Sequence, residues 1–136
     1  MSKTPKYWNK AKKYLSNKDK VMKLLIKKYS GPSETMLTTR RDIFYSLCKS
    51  IIGQQISVAA ANSVFLKFKK KCNNKINAKN VNKLKFIQLK SCGLSKQKVK
   101  GIKSLAKKTL DKTFNSKIIP RMSDEEAILY LSQLRQ

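Results

Sequence analysis

Residues 51–61 of this 136-residue chain join two segments that have the apolar spacing of helices. They read Ile51-Ile52-Gly53-Gln54-Gln55-Ile56-Ser57-Val58-Ala59-Ala60-Ala61. The preceding segment places apolar side chains three or four residues apart as far as Ile52, which is the helical period. Ser57 is a favoured N-cap, and the alanines behind it allow a neighbouring backbone to approach closely. The pattern predicts two helices joined by a short polar break at residues 53–56.

A second informative stretch, residues 91–106, predicts a turn followed by a long basic helix. It reads Ser91-Cys92-Gly93-Leu94-Ser95-Lys96-Gln97-Lys98-Val99-Lys100-Gly101-Ile102-Lys103-Ser104-Leu105-Ala106. Gly93 is typical of a helix end, and Ser95 is typical of a helix start. The apolar residues that follow fall on one face of a helix: Val99, Ile102, Leu105 and Ala106.

The two ends of the chain also carry helix signals. Thr4 and Pro5 suit the N-cap and the first position of an opening helix, and Ser123 with Glu126 forms a capping box for a final one. No stretch alternates apolar and polar residues for long enough to predict a strand. The expected fold is therefore all-α, in a single domain over residues 1–136.

The charge of the chain points to a polyanionic partner. Thirty-two Lys and Arg residues stand against seven Asp and Glu, for a net charge of +25. A field of that sign concentrates nucleic acid around a protein, and an anionic membrane surface to a lesser extent. An A/T-rich genome would also enrich Lys, Asn and Ile, so the charge alone does not distinguish a DNA-binding protein from a basic RNA- or ribosome-associated one.

Several classes of site are disfavoured by composition. Three cysteines without a Cys-x-x-Cys pair, and no histidine, argue against a disulfide framework and against a zinc site. No apolar run approaches the ~20 residues of a membrane span. With no apolar leader at the N-terminus, the expected location is the cytoplasm, at the nucleoid. No cofactor or metal is implied, and a monomer is expected.

The seven acidic residues do not form a recognisable catalytic centre. Most lie at predicted helix starts, where the helix dipole favours a carboxylate. No two of them make a convincing acid/base pair, and no Ser or Cys has a histidine to activate it. The sequence therefore offers no catalytic residue of its own.

Taken together and in this order, the two stretches resemble the helix-hairpin-helix DNA glycosylase superfamily, and most closely its DNA-3-methyladenine glycosylase II branch. The resemblance implies a multi-helix orthogonal array and hydrolysis of the N-glycosidic bond of alkylated bases in double-stranded DNA. In that family the target nucleotide is flipped into a pocket, a hairpin with a Gly-Ile-Gly-type turn holds the phosphates, and an Asp stabilises the transition state. The family would continue into that hairpin and Asp after Gln136. We therefore expect this chain to be an N-terminal portion, inactive alone.

The candidate DNA-binding residues are Gln54, Gln55, Ser57, Lys96 and Lys98. The resemblance implies the role at the break, whereas Ser57 and the two lysines are candidates because they lie at predicted helix starts, where backbone N–H groups and ammonium groups suit the DNA backbone. Gln55 is expected to fill the gap left by the flipped base and to hydrogen-bond the orphaned partner base. Alternatively, the two glutamines only satisfy backbone groups at the break, Ser57 is only an N-cap, and the two lysines form a solvated face.

Tyr45 lies off the main apolar stripe of its predicted helix and is the candidate for the base pocket. The alternative for Tyr45 is a place in the core. A non-enzymatic basic helical protein that binds nucleic acid is the alternative function for the whole chain.

Overall fold

The computed structural model describes residues 4–32, 34 and 41–134 of the chain. The chain divides into two compact units, the first ending at Arg41 and the second beginning at Asp42. Every regular element in the described ranges is helical, and no strand occurs in them. The all-α prediction is confirmed.

The first unit contains helices α1 (Trp8–Lys18) and α2 (Lys20–Tyr29). Asp19 alone separates them, and its carboxylate caps α2 by accepting the backbone N–H of Met22 at 2.8 Å. The predicted start at Thr4 and Pro5 is wrong. The carbonyl of Pro5 instead accepts the N–H of Trp8 in a turn, and α1 begins three residues later without a side-chain cap.

Glu34 forms hydrogen bonds with two side chains of α1 in the first unit. Its carboxylate accepts hydrogen bonds from Lys12 Nζ at 2.9 Å and from the Trp8 indole N–H at 2.8 Å. The bond to Lys12, and then the bond to Trp8, stabilise the charged carboxylate and hold the pKa of Glu34 below its usual value.

The second unit is built from six α-helices and one 3₁₀ helix within the described residues. They are α3 (Ile43–Gly53), α4 (Val58–Lys71), α5 (Ala78–Lys83), α6 (Phe86–Lys90), α7 (Lys96–Leu110), the 3₁₀ helix (Ser116–Arg121) and α8 (Asp124–Ser132). Helix α7 packs against α3, α5 and α6, and α3 also packs against α4. The long basic helix predicted from the second stretch is thus at the centre of the unit.

The core follows the predicted apolar spacing on α3 and α7. Residues 0–3% exposed on these two helices include Cys48, Ile52, Val99, Ile102 and Leu105. On α4 the prediction holds only in part. Phe65 and Phe68 are buried, but Ala60, one of the alanines expected to allow close approach of a neighbouring backbone, is exposed in the first turn of α4.

The three cysteines are reduced and buried. Burial raises the pKa of Cys48 to about 12 and that of Cys72 to about 11, so both thiols stay protonated near neutral pH. Among the residues described, no cluster of three or more acidic or cysteine side chains is arranged to hold a metal ion. Within the same residues, no helix has the length and apolar character of a membrane span.

Candidate nucleic-acid interface

The break between α3 and α4 forms a tight turn, here named the Gln54–Ser57 turn after its first and last residues. Gln54 ends α3 with φ −60° and ψ 132°, and its N–H points back to the carbonyl of Ile51 at 3.4 Å. Gln55 follows with φ +60°. Ser57 returns to an extended conformation and starts α4. The predicted helix–break–helix arrangement is therefore present, with both glutamines at its apex.

Gln55 adopts a backbone conformation that favours glycine. The left-handed region costs an L-residue with a side chain roughly 1–2 kcal/mol. Such conformations persist when surrounding structure enforces them, and they cluster at functional sites. The side chain is exposed and makes no hydrogen bond within the part of the chain that the structure describes. The amide of Gln55 is thus held out into solvent by a strained turn.

Ser57 is an N-cap, as its sequence position predicted. Its hydroxyl accepts the backbone N–H of Ala60 at 3.2 Å. The residues around it are open to solvent, with Val58 78% exposed and Ile56 41% exposed. The N–H groups of a first helical turn lack partners within the helix. The start of α4 therefore presents backbone donors beside the two exposed glutamines.

The turn before α7 is fixed by a glycine. Gly93 has φ +98°, and a Cβ there would lie 3.2 Å from the Val64 side chain of α4. Ser95 then caps α7 by accepting the N–H of Lys98 at 3.2 Å. Lys96, the first residue of α7, is exposed. Its ammonium is therefore available to an anion.

Lys98 is placed differently from Lys96. Its Nζ donates to the carbonyl of Ile52 at 2.8 Å and to that of Gln54 at 2.6 Å. The structure thus brings Lys98 and Gln54 together, although 44 residues separate them. From the sequence, Lys98 was expected either to contact DNA or to lie on a solvated face, and nothing indicated the two carbonyls as its partners. No local signal could have revealed them, because the contact depends on how α7 packs against α3.

Tyr45 lies half-buried on α3, and its ring meets Phe65 edge-on with centroids 5.2 Å apart. A separate apolar pocket of about 170 Å³ lies between α3, α7 and the end of α8. It is lined by Leu47, Ser50, Ile51, Gln54, Gly101, Ser104, Leu105, Leu131 and Leu134. Gln54 therefore borders this pocket, whereas Tyr45 does not.

All seven acidic residues fall within the described ranges. Asp19 and Asp42 are N-caps, and Asp111 is the C-terminal cap residue of α7. Glu126 completes the predicted capping box with Ser123, accepting its N–H at 2.8 Å, and shares the first turn of α8 with Asp124 and Glu125. Glu34 is occupied by Lys12 and Trp8. The carboxylates of Asp19, Glu34, Asp42 and Glu126 thus accept structural hydrogen bonds, and the remaining three acidic residues lie at the end of α7 or the start of α8.

The sequence matches the family described as HhH-GPD superfamily base excision DNA repair protein over residues 48–131, more than half of the chain. The chain belongs to the HhH-GPD superfamily. The resemblance drawn from the two quoted stretches is confirmed at this level. Both stretches lie inside the matched region, with the Gln54–Ser57 turn and the start of α7 between its limits.

Two relatives from Schizosaccharomyces pombe extend the HhH-GPD match over almost the whole chain. DNA-3-methyladenine glycosylase 1 is 28% identical over 129 residues, covering 93% of this chain and 57% of the relative. Alkylbase DNA glycosidase-like protein mag2 is 32% identical over 139 residues, covering 99% of this chain and 64% of the relative. The chain thus spans 57–64% of the length of these two relatives.

Solved structures agree with the HhH-GPD fold. The S. pombe 3-methyladenine DNA glycosylase Mag1 in complex with abasic DNA aligns with a TM-score of 0.80 at 28% identity, covering 91% of this chain and 62% of that one. A DNA-3-methyladenine glycosidase from Bacillus halodurans aligns with a TM-score of 0.71 at 17% identity, covering 99% of this chain and 59% of that one. The second likeness concerns the fold alone.

Replacing Gln55 by Gly is expected to leave the free energy of unfolding unchanged or to raise it by up to about 1 kcal/mol. Glycine removes the left-handed strain, which offsets its larger loss of backbone entropy. Gln54→Gly, at φ −60°, is the control and should lower stability by roughly 0.5–1 kcal/mol. Urea unfolding of the two variants measures the difference. Equal destabilisation by both would show that Gln55 is not strained.

Proposed function

We propose that this protein is a base-excision repair DNA glycosylase of the DNA-3-methyladenine type, and specifically of the type II branch. Such an enzyme hydrolyses the N-glycosidic bond of alkylated bases in double-stranded DNA. The observation that carries the proposal is the exposed, left-handed Gln55 at the α3–α4 break of an HhH-GPD fold with a net charge of +25. The names of both S. pombe relatives, and the abasic DNA bound to Mag1, support it.

The geometry of Gln55 suits insertion into a duplex. Flipping a nucleotide out of the stack costs a few kcal/mol and leaves a gap opposite the partner base. A planar amide can stack in that gap while its N–H and C=O groups hydrogen-bond the orphaned base. The turn already holds the backbone of Gln55 in the conformation that projects its side chain into solvent, so only the side-chain rotamers remain to be fixed when DNA binds. Gln54, exposed beside it, would line the same opening.

Phosphate contacts would come from the surroundings of the turn. The free N–H groups at the start of α4, next to Ser57, suit an anion. The exposed ammonium of Lys96 adds a positive charge at the start of α7. Engaging about six phosphates would give a log–log dependence of affinity on salt with a slope of roughly −5. The proposed binding state is a monomer on double-stranded DNA, acting in the cytoplasm at the nucleoid, without a cofactor or metal.

The chemical step is proposed to need residues beyond those of this chain. The family uses an Asp to stabilise the positive charge that develops on the sugar. Each acidic residue of this chain instead caps a helix, lies in a terminal helical turn or pairs with Lys12. Tyr45 is proposed as a wall of the base pocket, from its half-buried place on α3. The remaining walls would come from elsewhere in the full domain.

A non-enzymatic DNA-binding protein is the second candidate. The positions of the carboxylates favour it, because four of the seven accept structural hydrogen bonds and a scaffold that binds DNA does not need a catalytic acid. It shares the basic charge and the turn with the first candidate. The two differ in whether Gln55 acts on a gap in the duplex or only adds to a general DNA-binding surface.

Gln55→Ala is expected to lower affinity for a duplex with an abasic gap about tenfold, and affinity for the intact duplex much less. The reason is that a hydrogen bond to the orphaned base contributes about 1 kcal/mol, and only the gapped duplex offers the Gln55 amide such a base. Fluorescence anisotropy at fixed salt measures both affinities. Equal losses on the two duplexes would favour the general DNA-binding protein.

The purified chain is expected to bind alkylated duplex DNA in a salt-sensitive way but to release no methylated base. The S. pombe DNA-3-methyladenine glycosylase 1, assayed in parallel, is the positive control for release. Chromatography of the freed bases gives the readout. Turnover by this chain would mean that one of its seven acidic residues is catalytic, and failure to bind DNA would overturn the proposed function as a whole.

A further inference from the structure

Lys98 is the residue that connects α7 to the Gln54–Ser57 turn. It lies in the first turn of α7, is half-buried, and places its ammonium at the C-terminal end of α3. There it donates to the carbonyls of Ile52 at 2.8 Å and Gln54 at 2.6 Å. The last carbonyls of a helix lack partners within the helix and carry partial negative charge, so a cation is favoured there. We propose that Lys98 is a positioning residue that holds Gln55 in its DNA-inserting conformation.

The bond to the Gln54 carbonyl controls the backbone of Gln55. The φ and ψ of Gln54, −60° and 132°, and the φ of Gln55, +60°, match the central residues of a type II turn. A type II turn differs from a type I turn by a rotation of the peptide plane between its two central residues. That rotation reverses the direction of the first residue's carbonyl, and it moves φ of the second residue to about −90°.

A glutamine at the second central position should prefer the type I form, because type II normally requires glycine there. The Gln54 carbonyl bonds Lys98 Nζ in the observed orientation, and rotation of the peptide plane would turn this oxygen away from the ammonium. The 2.6 Å bond therefore selects the type II form and, with it, the left-handed Gln55. The strain at Gln55 is thus enforced by a long-range hydrogen bond that links α7 to the turn.

Lys103 provides a matched comparison on the same helix. Its Nζ donates to the carbonyls of Asn82 at 2.8 Å and Leu84 at 2.7 Å, at the end of α5. It is half-buried like Lys98 and carries the same charge. The two lysines therefore have the same chemistry at the ends of different helices, and only Lys98 bonds a carbonyl next to Gln55.

The inference rests on the proposed function for its meaning in DNA binding, but the conformational part can be tested without DNA. A residue with positive φ brings its amide and α protons close together and gives a strong intraresidue NOE. In the full chain labelled with ¹⁵N, Gln55 should show this NOE in the wild type. Lys98→Met should weaken it, whereas Lys103→Met and Lys98→Arg, which keeps the donors, should retain it. A retained NOE in Lys98→Met would overturn the proposal.

A second experiment measures the affinity of each variant for a duplex with an abasic gap and for the intact duplex. Lys98→Met should reduce the preference for the gap about fivefold, on the scale of one ordinary hydrogen bond, because only part of the Lys98 bond energy is transmitted to the turn. Lys103→Met loses the same charge and should weaken binding to both duplexes equally. In a Gln55→Ala background, Lys98→Met should change the preference no further, because its effect acts through Gln55.

The outcomes separate the two proposals. If Gln55→Ala keeps the gap preference, the proposed role in DNA insertion fails, and the NOE comparison still decides the role of Lys98. If Lys98→Met behaves like Lys103→Met in both the NOE comparison and the DNA-affinity comparison, Lys98 only caps the end of α3. Should Lys98→Met fail to fold while Lys103→Met folds, Lys98→Gln is measured in its place. This variant has a shorter side chain with a neutral donor and should lower both the NOE and the preference.

Discussion

The packing of helix α7 against its neighbours is the constraint on which the structure of the second unit depends. Its apolar stripe, with Val99, Ile102 and Leu105 at 0–3% exposure, forms the centre of the core and packs the helix against α3, α5 and α6. The polar side of the same helix carries Lys98 and Lys103, which bond the carbonyl ends of α3 and α5. One helix therefore fixes both the packing of its neighbours and the points at which two of them end.

This arrangement gives the lysines of a highly basic chain two different roles. Lys96 is exposed and free to neutralise a phosphate, whereas Lys98, two residues later, is turned into the protein and bonded to backbone oxygens. The net charge of the chain does not distinguish these two kinds of lysine, although their replacement is expected to have different consequences. Under the proposed function, loss of an exposed lysine is expected to weaken binding to any duplex and to reduce its salt dependence. Loss of the lysine bonded to the turn is expected to change which duplex is preferred.

Local signals predicted much of the fold. Ser57 and Ser95 are N-caps as expected, and Ser123 forms its capping box with Glu126, because these bonds join residues three apart and are encoded in the neighbouring sequence. The start at Thr4 was wrong, since capping propensity there yields to the turn that precedes Trp8. The left-handed Gln55 and the bonds of Lys98 could not be predicted, because they depend on contacts over more than forty residues.

The most direct test of insertion by the Gln54–Ser57 turn is the emission of 2-aminopurine placed opposite an abasic site. Its fluorescence reports how the orphaned base is stacked, and Gln55→Gly removes the inserting side chain while keeping a backbone that tolerates φ +60°. The wild-type chain should change the emission at saturating protein, and Gln55→Gly should leave it near that of free DNA. The same change with both proteins, each shown to be bound, would contradict insertion by Gln55.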